Sequence, residues 1–275
     1  MNTDPTAGQG KTQDRYAMLL DELGRYGSIA VAFSGGVDSS FLAAAAARVA
    51  GLDILLLTAQ TLFQAEQDIE WAGHMASTLG LPHRVIKIDL SVRQDILSNP
   101  EDRCYWCKDL LFSRIKEEAL EDGVSTLVHG ANLDDFHDYR PGMKAADAIG
   151  FLAPLAECGM TKKAIREYSG IMGLETWDMP SGSCLAARIP YGETITPEKL
   201  SKIDRAERII FDMGFETVRV RLKGNDARIE LDPADIERFA EKSIRKIVSR
   251  KLKNLGLGHI SLDLKGYRSG SMNEI

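Results

Sequence analysis

The first half of the chain alternates helix-period apolar spacing with short solid apolar runs. Tyr16, Met18, Leu19, Leu20 and Leu23 recur at helical spacing over residues 14–26, where Gly24 and Gly27 end the pattern. The run 29–33 predicts a buried strand, and the alanine-rich stretch 40–50, closed by Gly51, predicts a helix. The rhythm repeats as strand 54–58, helix 66–79 stopped by Gly80 and Pro82, strand 84–88, helix 109–121 and strand 126–129. Such alternation predicts an α/β fold, a parallel sheet with helices on both faces. From Pro197 the pattern changes to a long amphipathic helix to residue 213, strands 217–222 and 227–231 around the turn residues 223–226, a helix 233–255 and a strand 259–264. This predicts a smaller C-terminal α+β domain. The organisation expected is a lead-in 1–11, a first domain 12–176, a Gly/Ser/Pro-rich hinge 177–196 and a second domain 197–275.

Composition narrows the function. With 44% hydrophobic and 27% charged residues the chain has an ordinary globular make-up, and a formal charge of -6 disfavours a whole-protein footprint for nucleic acid. The polar lead-in has no apolar signal core and reads as disordered, and the apolar runs 41–47 and 54–57 are far too short for a bilayer. A cytoplasmic location with no membrane partner is expected. Under reducing conditions Cys104, Cys107, Cys158 and Cys184 are then metal-binding, catalytic or buried rather than disulfide-bonded.

Between strand 29–33 and the helix that follows lies Ser34-Gly35-Gly36-Val37-Asp38-Ser39. The glycines let backbone N–H groups approach an anion, Ser34 and Ser39 offer hydroxyls, and the helix start adds about half a positive charge. The run is neither GxGxxG nor GxxxxGK[ST], which argues against a nicotinamide enzyme and a P-loop ATPase. It resembles the SGGxDS signature of the PP-loop ATP pyrophosphatases, whose fold is adenine-nucleotide alpha hydrolase-like and which release pyrophosphate while adenylylating a substrate oxygen. The resemblance implies that Ser34, Gly35, Gly36, Asp38 and Ser39 hold the pyrophosphate of ATP, with Asp38 facing Mg2+. Thr58 and Gly130, at other strand ends, are expected to complete the ATP site. Asp134 and Asp135 are either further magnesium ligands or helix caps.

Cys104-Tyr105-Trp106-Cys107 alone reads equally as half a zinc site, a redox pair or two unrelated thiols, and Cys158 as a buried thiol. Taken in order, the PP-loop run, the Cys-x-x-Cys, Asp138-Tyr139-Arg140-Pro141-Gly142, and Cys184-Leu185-x-x-Arg188-Ile189-Pro190-Tyr191-Gly192 resemble the LarE family of sulfur transferases. Ala187 stands where many relatives carry serine. The resemblance covers nearly the whole chain after the lead-in. It implies adenylylation of the carboxylates of a pyridinium biscarboxylic mononucleotide and their conversion to thiocarboxylates. By the same resemblance Cys184, Arg188, Glu207 and Asp38 are catalytic, and Arg219 and Arg221, on one face of a strand, bind the phosphate of this small-molecule nucleotide substrate. Without the resemblance, that arginine pair reads as a solvated face. Family members either sacrifice the sulfur of the cysteine matching Cys184 or hold a [4Fe–4S] cluster on three cysteines. Cys104, Cys107 and Cys184 match the cluster pattern, which calls for an external sulfide source. A homo-oligomer is also implied, with a hexamer as one assembly to test.

Two other classes compete. A tRNA thiolase would use the basic stretch Lys242, Arg245, Lys246, Arg250, Lys251 and Lys253, which reads otherwise as the solvated face of a helix. A non-catalytic nucleotide sensor would hold structural zinc on the same three cysteines.

Overall fold

A computed structural model describes residues 6–137, 141–180, 182 and 184–268. The motif residues Asp138, Tyr139 and Arg140, Ser181 and Ser183 beside Cys184, and the first five residues of the lead-in lie outside them. The chain divides into two compact units. The first takes the chain through Thr61 together with Glu66–Ile88 and Asp102–Gly182, and the second takes Leu62–Ala65, Asp89–Glu101 and everything from position 183.

The first unit contains helices α1 (Thr6–Leu23), α2 (Val37–Ala46) and α3 (Glu66–Thr78) and strands β1 (Ser28–Ala32), β2 (Asp53–Gln60) and β3 (His83–Lys87). The one-turn α4 (Gln94–Leu97) belongs to the second unit, and the first resumes with α5 (Arg103–Glu121), β4 (Leu127–His129), α6 (Pro141–Ile149), α7 (Pro154–Glu157) and α8 (Lys162–Ile171). The sheet order is β3-β2-β1-β4, all parallel. Central β1 buries Ile29, Ala30 and Val31 completely, as a strand covered on both faces must. Leu42, the four alanines at 43–46 and Phe41 of α2 are buried in the same core with Leu19, Leu23, Leu56, Met75 and Ile165. Small side chains on α2 let the helix lie close to its neighbours, and enlarging them would overpack a site filled at crystal-like density.

This topology fixes where a ligand sits. After β1 the chain builds β2 and β3 on one side, then returns to place β4 on the other, so the strand order reverses between β1 and β4. In open α/β sheets ligands bind outside the carboxyl ends of the strands at such a reversal. Here those ends are the 34–39 turn and Gly130.

The second unit contains α9 (Pro197–Phe211), β5 (Val218–Lys223), β6 (Asp226–Leu231), α10 (Ile236–Phe239), α11 (Lys242–Asn254) and β7 (Ile260–Leu262). Thr196 caps α9 by accepting from Lys199 N at 3.2 Å, Pro197 occupies the first turn, and Leu200, Ile203, Ala206 and Ile210 form its buried stripe. β5 and β6 pair antiparallel from Val218↔Leu231 to Lys223↔Asp226, and β7 runs parallel to β6. The two-residue turn needs positive φ at its first central position, which Gly224 supplies at 58°.

Several expected boundaries move. α1 begins at Thr6, inside the segment expected to be a disordered lead-in. α2 begins at Val37, so Asp38 and Ser39 belong to its first turn. α5 begins at Arg103 and not at 109, because the buried face Arg103, Cys107, Leu111 outweighs the modest helix propensity of Cys, Tyr and Trp. The expected helix 233–255 is instead a 3-10 turn followed by α10 and α11, with extended Glu241 (ψ 142°) between them. Phe239 turns inward there to meet Phe215 edge-on, ring centroids 5.0 Å apart. Among the described residues no helix is long and apolar enough to cross a membrane.

Candidate functional site

The 34–39 turn packs against α3 and β4 and is held by its own hydroxyls. Gly35 has φ of 70°, and a Cβ there would lie 2.7 Å from Ala72 Cα. Trp71 Nε1 donates to Gly35 O at 3.1 Å. Ser39 Oγ donates to Gly36 O at 3.3 Å, and Ser34 and Ser39 hydroxyls lie 3.1 Å apart. Gly130 must also be glycine, since a Cβ would fall 2.9 Å from Ser39 N. Gly36 differs: only Ser34 Oγ, at 3.4 Å, lies within 4 Å of an added Cβ. Gly36 is the N-cap of α2 and gives it no side-chain cap. The helix start therefore presents N–H groups that have no intrahelical partner, beside an open glycine, which is the geometry that receives an anion.

Asp38 occupies the first turn of α2, where a carboxylate is favoured by the helix dipole. Lys162 Nζ donates to Asp38 Oδ2 at 2.6 Å, while Oδ1 is buried with no hydrogen-bond partner among the described residues. Burial pushes the Asp38 carboxyl above its ordinary range, and Lys162 pulls it down. A buried carboxylate oxygen aimed beside an anion cradle suits a hard divalent cation, so the residues present fit magnesium. Asp134 and Asp135 act in a polar lattice at this end of the sheet. Asp135 Oδ2 accepts from Asn132 N at 3.0 Å, Asn132 Oδ1 from Asp134 N at 2.9 Å, and Asp134 Oδ2 from Lys162 N at 2.8 Å. Thr161 caps α8 and so aims Lys162 into the site.

Thr58, expected at the ATP site, also braces the sheet. Its buried hydroxyl donates to Phe33 O at 2.7 Å and lies 2.8 Å from His83 Nε2. With the hydroxyl proton committed to Phe33, His83 must carry its proton on Nε2, and burial, which lowers the His83 pKa, keeps the ring neutral. Thr58 thus ties β2 to the end of β1 and braces the strand that leads into the turn.

In the first unit, Cys104 and Cys107 lie one turn apart on α5, the former half-buried and the latter buried, with Arg103 Nη2 donating to Cys104 Sγ at 3.4 Å. Cys158 is buried, and burial raises its thiol pKa. Cys184, which belongs to the second unit, is exposed. Among the described residues no three His, Cys, Asp or Glu side chains gather as a metal site. The spacing of the α5 pair puts both thiols on one face of the helix.

The second unit brings four of the expected residues together behind Cys184. Arg188 is 3% exposed and grips Glu207 with two bonds, Nε to Oε1 at 2.9 Å and Nη2 to Oε2 at 3.1 Å, while its Nη1 donates to Cys184 O at 2.9 Å. Glu207 Oε1 also accepts from Val220 N at 2.8 Å. Arg219 and Arg221 share a face of β5, as alternation predicts. Arg221 donates to Glu230, which is 1% exposed, and through Nη1 to Ala187 O at 2.7 Å. Arg219 lies over the Tyr267 ring at 5.1 Å, and burial together with nearby Arg188 lowers its pKa. Lys162, Trp71 and Glu230 were not anticipated. The Thr161 cap was the one local signal for Lys162, whereas the others are set by which strand ends meet.

The parallel sheet, the glycine turn at its strand-order reversal and the acidic first turn of α2 define an ATP-binding unit of the PP-loop type. The family model for asparagine synthase matches residues 26–113. The chain is 38% identical over 245 residues, 89% of its length, to the uncharacterized protein slr1717 of Synechocystis sp., of which 91% is covered. It is 33% identical over 259 residues to the pyridinium-3,5-bisthiocarboxylic acid mononucleotide synthase of Lactiplantibacillus plantarum, covering 94% of this chain and 93% of the relative. The tRNA-specific 2-thiouridylase MnmA of Azorhizobium caulinodans is 28% identical over 61% of this chain and 53% of its own length. The chain belongs to the LarE family of ATP-dependent sulfur transferases.

Proposed function

We propose that the chain adenylylates the carboxylates of pyridinium-3,5-biscarboxylic acid mononucleotide and converts them to thiocarboxylates. The observation that carries this is the uncapped start of α2 on an open glycine, with Asp38 beside it, at the switch point of the sheet. The match over 94% of the chain to the synthase named above supports the choice of substrate. A carboxylate resists nucleophiles until one oxygen becomes a leaving group. In the first half-reaction the substrate carboxylate attacks the α-phosphorus of ATP, the bond to the β-phosphate oxygen breaks, and pyrophosphate leaves with the electron pair. Ser34, Gly35, Gly36 and Ser39 receive the pyrophosphate, and Lys162 is poised to meet its charge. Mg2+ held by Asp38 would neutralise the departing oxygens. In the second half-reaction sulfide attacks the acyl carbon, the bond to the AMP oxygen breaks, and thiocarboxylate and AMP result.

Arg219 and Arg221 are the residues proposed for the substrate phosphate. Their shared face supports this, as does the lowered pKa of Arg219, because an incoming dianion offsets both the burial and the repulsion from Arg188. Arg188 and Glu207 act by holding the Cys184 turn. For the sulfur source the proposal rests on the three-cysteine pattern, with Cys104, Cys107 and Cys184 as ligands of a [4Fe–4S] cluster that would carry replaceable sulfide. A second reading, in which Cys184 surrenders its own sulfur, is favoured by its exposure.

The test is anaerobic incubation of reconstituted protein with ATP, magnesium, sulfide and the biscarboxylic mononucleotide. Pyrophosphate and thiocarboxylate should form together, and product without ATP would overturn the adenylylation reading. Intact-protein mass separates the sulfur sources: a loss of hydrogen sulfide at Cys184 in proportion to product excludes the cluster, and unchanged mass over many turnovers excludes sacrifice.

A further inference from the structure

Asn99 is the one residue other than glycine with positive φ among the described residues, at 59°. It is fully buried and precedes Pro100, a position where extended backbone is normally preferred. Holding an L-residue there costs free energy that its surroundings must offset, and such over-determined residues cluster at functional sites. The surroundings of Asn99 are the chain just downstream of Cys184. Asn99 Nδ2 donates to Pro190 O at 2.7 Å and, at longer range, to Ile189 O at 3.2 Å and Glu193 O at 3.3 Å. Its backbone carbonyl accepts from Gly192 N at 2.8 Å, and Leu97 O accepts from Ile195 N at 2.8 Å. The loop 189–195 is thus wrapped around one side chain.

The upstream half of the same segment is fixed independently. Leu185 N donates to Phe63 O at 2.8 Å, Arg188 takes Cys184 O, and Arg221 takes Ala187 O. Cys184 itself remains exposed. An exposed thiol on a turn whose carbonyls are clamped on both sides is a pre-organised group, since its orientation is set before substrate arrives.

We propose that Asn99 is a positioning residue for Cys184, fixing the downstream end of the 3-10 turn Leu185–Arg188 so that the thiol is presented in one orientation. The proposal rests on the reading that Cys184 takes part in sulfur transfer. Asn99→Gly keeps the positive φ and removes the amide, while Asn99→Asp keeps the shape and turns acceptors toward three carbonyls. Far-UV circular dichroism establishes that each variant is folded, and Asn99→Gly decides should Asn99→Asp not fold. In folded variants we expect the single-turnover burst of pyrophosphate and the KM for ATP to be retained. Thiocarboxylate formation should fall at least tenfold, amides of Gly192 and Ile195 should exchange faster, and the rate of Cys184 alkylation by iodoacetamide should change at least threefold. A merely structural role would lower the burst and the sulfur step together, and that result overturns the proposal. So does a folded Asn99→Gly variant with wild-type sulfur transfer and wild-type alkylation. Cys184→Ala is the separate control: if it transfers sulfur at the wild-type rate, the role of Cys184 fails, while exchange and alkylation in the Asn99 variants still judge the clamp.

Discussion

Replacing Glu207 by alanine strands a buried cation. Arg188 is 3% and Glu207 13% exposed, and the two share a pair of bonds at 2.9 and 3.1 Å. Breaking a buried ion pair by removing one partner costs about 3–5 kcal/mol, because the remaining charge cannot reach water. Val220 N also loses its acceptor, which adds about 1 kcal/mol. Domains are stable by only about 5–15 kcal/mol in total, so the second unit should open readily. The chain holds two units and need not unfold in one step, which makes hydrogen exchange of β5 and β6 amides a better assay than a single melting curve. At about 1.4 kcal/mol per factor of ten, Glu207→Ala should lower protection there by roughly 10²–10⁴-fold, with amides of β1 and β2 unaffected. Glu207→Gln keeps the acceptors and loses the charge, so it should fall between, at about 1–3 kcal/mol. The double variant Arg188→Met/Glu207→Met should recover most of the loss, since apolar replacement of a buried pair is often neutral. Protection in Glu207→Ala within threefold of wild type would refute the reasoning.

Lys162→Met should weaken binding of magnesium ATP roughly tenfold in equilibrium dialysis, the scale of one charge-assisted bond, and unchanged affinity would confine Lys162 to Asp38. The neighbouring glycines should separate packing from ligand binding. Gly35→Ala, with its Cβ 2.7 Å from Ala72 Cα and φ at 70°, should destabilise by about 1–3 kcal/mol. Gly36→Ala, in open space, should melt like wild type yet lose ATP affinity, and full affinity would remove Gly36 from the phosphate site. His129 is held neutral between Phe112 and Phe151, and burial lowers its pKa from 6.5 to about 4. Between those values only the unfolded chain takes up the proton, so stability present above pH 6.5 is lost as pH falls toward 4, by about 3 kcal/mol. His129→Gln should flatten that acid-side decline in urea midpoints taken across the range, and an equally steep decline would place the titrating group elsewhere.

The sheet and its ligand end were legible because strand and helix periods differ and because glycines punctuate them. Ile29–Ala30–Val31 could only be a covered strand, and the turn after it could only lead into α2. Helix starts were less legible. Arg103 opens α5 through tertiary burial that no local propensity reports, and Glu241 breaks the C-terminal helix without a proline or glycine to announce it. Within the site, the 34–39 turn stood out as a contiguous motif. Lys162 did not, being 124 residues from Asp38 along the chain and joined to it only by the fold. For Thr58 the place at a strand end was visible, whereas the bonds of its hydroxyl to Phe33 O and His83 are set across the sheet. Arg219 and Arg221 were correctly placed on one face by alternation, whereas the bonds of Arg221 to Glu230 and Ala187 depend on strand register.

The bond from Val220 N to Glu207 also governs how copies of the chain can meet. β5 is the outer strand of its three-stranded sheet, and an outer strand is a template on which a strand of another molecule can lengthen the ladder. At Val220 that template is already occupied by a carboxylate from α9, itself locked by Arg188. A strand adding at this edge would have to displace that carboxylate at Val220. The ion pair that steadies the Cys184 turn thus also raises the cost of edge-to-edge pairing at this position.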